Sequence, residues 1–274
     1  MIVLCKPIAS QWLSKIAQKI KRRARTPSLG VLLVGQDPAS QRFVQSKKRA
    51  AERIGVKINF TNVPVGTSTT SLVQCVATLA GDSTGVLVQL PLPADVEAGA
   101  VLDAVPARQD VDGLGSASLS ALVRNTPGFV PATVRGILYL LEKQSIMPKG
   151  TRFLIVGAGQ LVGRPLGLAL LNRGATVTWA DRYEVELAAL SRQADVLVSA
   201  VGKPGLIRGC HVHAGQLVID AGFNLQAGKV TGDVVTEEVS KAGAVVTPVP
   251  GGVGKLTVVA LLANLLEASA AARA

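Results

Sequence analysis

Two patterns take turns along most of this chain. Short runs that are almost wholly apolar, such as Ser28–Val34 and Phe153–Val156, stop at a glycine; between them lie longer stretches whose apolar residues recur every three or four positions. The first pattern reads as strands buried on both faces, the second as helices with one apolar side. In order, the spacing predicts a helix over Ser10–Arg25, a strand over Ser28–Val34, a helix from Asp37-Pro-Ala-Ser40 to Ile54 and a strand over Lys57–Val63. A helix over Ser71–Leu79 and a strand over Gly85–Leu90, running into Pro91-Leu-Pro93, complete the first set. After Thr126-Pro-Gly128 come a helix around Arg135–Lys143, strands at Phe153–Val156, Ala175–Ala180, Val196–Val201 and Leu217–Asp220, and a final apolar helix over Thr257–Ala272. Strands alternating with helices imply an α/β fold with parallel sheets. Because the alternation is complete before the hinge and starts again after it, two lobes are expected, 1–125 and 126–254, with helix 255–274 packing back on the first.

The second lobe is organised around Phe153-Leu-Ile-Val-Gly157-Ala-Gly159-Gln-Leu-Val-Gly163-Arg-Pro165, a strand, a glycine turn and a helix start. Gly157 permits the turn, Gly159 lets backbone N–H groups approach a pyrophosphate, and the new helix offers its positive end to that anion. Gly163 closes a spacing one residue longer than the usual dinucleotide fingerprint. Glycines that merely pack a helix on a sheet remain the alternative at this point. Asp181 ends the next strand about 20 residues on, where a carboxylate can bond the ribose hydroxyls of NAD; Arg182 beside it suits the extra phosphate of NADP.

Composition narrows the reading. At 274 residues the chain can bury a large core, and its longest apolar stretch, Leu256–Ala263 with Thr257 inside it, falls short of the ~20 residues of a bilayer span. The start Met1-Ile-Val-Leu lacks a basic flank, so neither a membrane anchor nor secretion is expected. Three scattered cysteines, Cys5, Cys75 and Cys210, fit a reducing cytoplasm. The net charge of +11 calls for an anionic partner. Aromatics at 3% give few stacking platforms for nucleic acid, and a dinucleotide with an anionic small substrate explains the sign equally well.

Candidates for chemistry are few. His211 and His213, beside Cys210, lack a fourth ligand at a recognisable spacing, so no metal site is expected. On the helix after Gly35, Ser40, Phe43 and Lys47 share a face at the carboxyl end of a strand, where open α/β sheets bind ligands. A desolvated lysine there loses its proton readily and can act as acid or base; a solvated surface lysine is the plainer alternative. Gln89 ends a buried strand at the same edge, and Asp112, before Gly113, is either a turn former or an acceptor for paired N–H donors.

Taken together, Asp37-Pro-Ala-Ser40 with Val44 and Lys47, Val88-Gln-Leu-Pro-Leu-Pro93, Asp110-Val-Asp-Gly113, Val162-Gly-Arg-Pro165, Gly202-Lys-Pro204, Ile219-Asp220, Gly232-Asp233-Val234 and Thr247-Pro-Val-Pro-Gly-Gly-Val-Gly254 resemble the bifunctional methylenetetrahydrofolate dehydrogenase/cyclohydrolase family, in order and over nearly the whole chain. The resemblance implies two lobes around a cleft, an N-terminal α/β substrate lobe for folate and a Rossmann-like lobe for NADP or NAD, in a cytoplasmic homodimer without nucleic-acid or membrane partners. It implies that Lys47 is catalytic, that Gln89 orients it, that Asp112 binds the pterin ring with Phe43 stacked nearby, and that Pro250, Gly251 and Gly252 close over substrate. Gly157, Gly159, Gly163, Asp181 and Arg182 fall to the cofactor. The chain departs from the pattern where Phe43 stands for tyrosine, Gln109 for lysine, Gly159 for serine, Asp181-Arg182 for His-Ser and Lys255-Leu256 for Pro-Met. A non-catalytic or specialised binding paralogue and a related two-lobed dehydrogenase are the alternatives.

Overall fold

The computed structural model describes residues 1–226 and 228–271, so the last three positions of the expected C-terminal segment lie outside the described residues. The elements, in order, are α1 (Cys5–Lys21), β1 (Ser28–Val34), α2 (Pro38–Arg53), β2 (Lys57–Val63), α3 (Thr69–Asp82), β3 (Gly85–Val88), α4 (Ala98–Asp103), α5 (Ser116–Val123) and α6 (Ala132–Lys143). They continue as β4 (Arg152–Val156), α7 (Gly163–Leu171), β5 (Thr176–Ala180), α8 (Leu187–Gln193), β6 (Val196–Ser199), β7 (Leu217–Asp220), β8 (Asn224–Gln226), β9 (Lys229–Thr231), α9 (Thr236–Lys241), β10 (Val245–Val246) and α10 (Val253–Ala271). The chain divides into two compact units.

One unit comprises Gln11–Ala132 and the chain from Val258 on. Its sheet has the order β2-β1-β3, all parallel, with Leu29–Leu32 of β1 in register with Gly85–Val88 of β3. β1 is central, and six of its seven residues are buried, which is why it reads as an unbroken apolar run. Leu32, Val34, Val86 and Val88 pack with Leu72, Val76 and Leu79 of α3 and Val101 of α4 into this unit's core. The helix α2 starts where expected because Asp37 caps it, its Oδ2 accepting from Ser40 N at 2.7 Å, with Pro38 at the first helical position.

The other unit comprises Met1–Ser10 and Thr133–Thr257. Its parallel sheet runs β10-β7-β6-β4-β5, and β8 and β9 form a small antiparallel hairpin. The opening residues join it through backbone pairing: Val3 N donates to Val246 O (2.8 Å), Val246 N donates to Met1 O (2.9 Å), and Cys5 N donates to Gly251 O (3.0 Å). Helix α1 therefore begins five residues earlier than the spacing suggested, because those residues are fixed by a strand more than 200 positions away.

Helix α10 also starts earlier than expected, at Val253. Counted as a helix, Val253–Ala270 is long and apolar enough to cross a bilayer, which the shorter run Leu256–Ala263 did not suggest; 67% of it is buried inside the protein. Burial on most sides explains its mostly apolar sequence, Lys255 and Glu267 falling at exposed positions. One polar residue, Asn264, is fully buried, and its Nδ2 donates to the carbonyls of Val111 (2.8 Å) and Val130 (3.0 Å).

Candidate functional site

The helical periodicity of α2 decides which of its residues turn inward. Ser40, Val44, Lys47 and Ala51 are buried, at spacings of four, three and four, while Phe43 is half-buried at the margin of that face. Lys47, 6% exposed, donates from Nζ to Gln89 Oε1 at 3.1 Å. Gln89 sits one residue beyond β3, still tied to β1 by its N–H to Leu32 O (2.9 Å). Its amide orientation follows from its partners: Nε2 donates to Leu90 O at 2.6 Å, which leaves Oε1 to face the ammonium.

Asp112 completes the group from a rigid turn. The neighbouring Asp110 is buried and accepts from the N–H groups of Gly113 (3.0 Å), Leu114 (3.4 Å) and Gly115 (2.9 Å) and from Ser118 Oγ (2.6 Å). Ala132 N and Asn264 Nδ2 hold the carbonyls of Asp112 and Val111, so the backbone that carries Asp112 is fixed from both sides. Asp112 keeps some solvent contact yet is densely surrounded by protein. Burial pushes its carboxyl upward, the Lys47 charge partly restores the anion, and Asp110 adds a smaller upward push. For Lys47 burial pulls the ammonium below the ordinary lysine range, with Asp112 opposing. Both groups are thus drawn toward their neutral forms, so Lys47 gives up its proton more readily than a solvated lysine. Asp110, Ser118 and Asn264 had no sequence signature as supports; only Asp110 stood inside a motif, the Asp-x-Asp-Gly turn.

In the other unit, the turn after β4 has the conformation its glycines allow. Gly157 has φ +99°, and a Cβ on Gly163 would lie 1.8 Å from Gly157 O, so the strand runs into α7 through a turn closed against itself. Nothing lies within 4 Å of the Cβ position of Gly159. A tight turn, an open glycine and a helix start at the carboxyl end of a parallel strand fit a dinucleotide pyrophosphate. Trp179 of β5 supports this helix, donating from Nε1 to Gly163 O at 3.0 Å, a link no sequence pattern announced. Asp181, Arg182 and Tyr183 are exposed; Asp181 Oδ1 accepts from Tyr183 N (2.9 Å) and Arg182 bonds the Tyr183 hydroxyl (2.7 Å). Pro250, Gly251 and Gly252 form the turn before α10, with Gly252 buried and Pro250 exposed. Lys47, Gln89 and Asp112 therefore come together in one unit, and Gly157, Gly159 and Gly163 in the other.

Residues 3–112 match the model of the tetrahydrofolate dehydrogenase/cyclohydrolase catalytic domain, and residues 131–273 match that family's NAD(P)-binding domain. The chain belongs to the tetrahydrofolate dehydrogenase/cyclohydrolase family. It is an NAD(P)-binding enzyme of that family, acting on a tetrahydrofolate derivative. Solved structures of dehydrogenase/cyclohydrolases agree with it along their full length. The bifunctional FolD methylenetetrahydrofolate dehydrogenase/cyclohydrolase of Campylobacter jejuni is 35% identical, with 99% of each chain covered and a TM-score of 0.94. A 5,10-methylenetetrahydrofolate dehydrogenase of the silkworm, Bombyx mori, is 31% identical over 100% of each chain (TM-score 0.91). The methylenetetrahydrofolate dehydrogenase-cyclohydrolase of Trypanosoma brucei, solved with NADP and an inhibitor, is 28% identical over 100% of this chain and 99% of its own (TM-score 0.93).

Proposed function

We propose that this family member oxidises 5,10-methylenetetrahydrofolate to the methenyl cation and hydrolyses that cation to 10-formyltetrahydrofolate, with Lys47 as the proton-managing group. The observation that carries the reading is the buried Lys47 Nζ held on Gln89 Oε1 at 3.1 Å, with burial lowering its proton affinity and Asp112 as its charged neighbour. When bound, the nicotinamide accepts the hydride; the chain's own part in that step is to align and dehydrate the donor. In the second step a water attacks the cation, and a lysine poised to take and return a proton assists both the attack and the ring opening. Gln89 holds the amine in place without carrying charge. Asp112 accepts hydrogen bonds from the pterin N–H edge, Phe43 supplies a stacking face, and Pro250, Gly251 and Gly252 close over substrate.

On the nucleotide side, Gly157, Gly159 and Gly163 receive the pyrophosphate. Arg182, set beside Asp181, favours NADP, the coenzyme bound by the trypanosomal relative. We assign folate chemistry to residues 1–125 with the last helix, and nucleotide binding to 126–254. The protein is proposed to work as a cytoplasmic homodimer; β2, an edge of its sheet with Phe60 exposed, is the open strand on which a second copy can pair. No nucleic-acid or membrane partner is needed, since folate and NADP are both anions that suit a charge of +11.

Purified protein supplied with methylenetetrahydrofolate and either oxidised coenzyme tests the reading. Reduced nicotinamide should form, faster with NADP, and methenyl absorbance should decay above the uncatalysed rate. Folate binding without either reaction would make a binding paralogue the better description.

A further inference from the structure

Two buried carboxylates at the carboxyl end of the five-stranded sheet have no part in the chemistry above. Asp220 ends β7 and is 1% exposed; Asp233 follows β9 and is 0% exposed. Asp233 Oδ2 accepts from Ser199 Oγ and Val201 N, both at 2.8 Å, and its Oδ1 accepts from Lys203 N at 2.7 Å. Asp220 Oδ1 accepts from Gly222 N (2.9 Å) and Asp233 N (3.1 Å), and its Oδ2 accepts from Val234 N (3.0 Å). Glycine is required in both segments for this contact. A Cβ on Gly222 would fall 2.2 Å from Asp233 Oδ1, and one on Gly232 would fall 2.0 Å from Asp220 Oδ2.

The loop that Asp233 holds is the one after β6, and that loop is the wall of the glycine turn. Ala200 N donates to Val156 O at 2.8 Å, and Ala200 O lies 2.6 Å from the Cβ position of Gly157. β4 and β6 are neighbours in register, Val156 opposite Ser199, so the two loops leave the sheet side by side. Three groups from the end of β6 and the loop after it, at 199, 201 and 203, converge on one carboxylate, and that carboxylate is seated in turn by Asp220.

The geometry points to Asp233, seated by Asp220, as a positioning residue for NAD(P): it fixes residues 199–203 and through them the glycine turn, without touching the nucleotide. Ionised aspartate offers acceptors on every side, whereas asparagine must turn an N–H₂ toward at least one of the three donors, leaving that donor unpaired in a buried place. The donors that reach the Asp233 side chain all belong to residues 199–203, so nucleotide affinity should suffer while folate affinity does not. The inference rests on the NAD(P)-binding assignment and is independent of the roles proposed for Lys47 and Asp112.

The test is calorimetric titration of the full-length protein with NAD and NADP, alongside titration with a folate substrate analogue and melting curves. Asp233→Asn should weaken both coenzymes roughly tenfold or more, and Ser199→Ala, which removes one donor of three, only a few-fold. Folate affinity should stay at the wild-type value in both. KM for the nucleotide should rise more than kcat falls. A folded Asp233→Asn with unchanged nucleotide affinity overturns the inference. So does an equal loss of folate affinity, which would make the pair a general support of the fold. If Asp233→Asn does not fold, Ser199→Ala takes its place, and unchanged coenzyme affinity in that variant overturns the inference as well.

Discussion

At the scale of single residues, the site turns on how much burial costs a charge. Lys47 donates to a neutral amide, Asp112 is the charged neighbour that favours its ammonium, and desolvation prevails over that attraction. Positioned acid–base groups contribute roughly 10²–10⁴-fold, so Lys47→Met should remove most catalysed hydrolysis of the methenyl cation while hydride transfer, which moves no such proton, falls less. The two steps separate by reduced nicotinamide formation and by loss of methenyl absorbance; intact hydrolysis in the variant would end the proposed role. Phe43 lies four residues before Lys47 on the same helix, so Phe43→Tyr should bring a hydroxyl to the margin of the site and raise the hydrolysis rate. Asp112→Ala should weaken folate binding by about 1.5–3 kcal/mol, the range for a charged hydrogen bond, and leave NAD(P) binding unchanged. Calorimetry checks it, and unaltered folate affinity would return Asp112 to the role of a turn former.

At the scale of elements, the site depends on segments far apart in sequence that meet through backbone groups. Asn264 is the clearest instance, a polar residue in a core helix whose amide holds the carbonyls of Val111 and Val130 on either side of the Asp112 turn. Replacing it with alanine leaves a gap and deprives the buried carbonyl of Val111 and the half-buried carbonyl of Val130 of this donor. Asn264→Ala should therefore lower the unfolding free energy by about 1–3 kcal/mol and weaken folate binding without moving Lys47. Denaturant melts and folate titration measure both, and a stability loss with wild-type folate affinity would detach Asn264 from the site.

For the whole molecule, a buried carboxylate contributes to the response to pH. Burial raises the Asp220 carboxyl to about 6, against three backbone N–H groups that favour the anion, with Asp233 adding to the rise. The folded protein thus holds this proton more tightly than the unfolded chain, and Asp220 contributes most to stability below the ordinary carboxylate pKa, about 4. That contribution is lost as pH rises through about 6 and amounts to at most about 3 kcal/mol. Exposed carboxylates such as Asp195, held low by Arg152, act in the opposite direction, so the comparison must be made against a variant. The stability difference between wild type and Asp220→Asn should move in favour of the wild type as pH falls from 7 to 4; parallel curves would show that Asp220 does not titrate in this window.

How much of this was legible in the sequence depends on whether the cause is local. Ser28–Val34, Lys57–Val63 and Leu217–Asp220 have the strand limits the sequence predicted: the first and last are apolar runs buried along nearly their whole length, while the second, an exposed edge strand, is delimited by Gly55 before it and Pro64 after it. The cap at Asp37, the glycine turn at 157–163 and the candidacy of Lys47, Gln89 and Asp112 were legible for the same reason: each rests on neighbours within a few positions, or on motifs kept together in the family. The start of α1 was not, since Met1–Cys5 are ordered by pairing with Val246 and Gly251, nor was the start of α10. Whether Lys47 is a surface cation or a buried amine could not be read from periodicity, which gives a face but not what covers it; that was decided when β3 delivered Gln89 and the 110–113 turn delivered Asp112. Asp233 was legible only as a member of the Gly232-Asp233-Val234 motif, and the role proposed for it at the nucleotide turn had no local sign. Its three donors come from the end of β6 and the loop after it, 30 to 34 residues away, and only folding brings them within reach of one carboxylate.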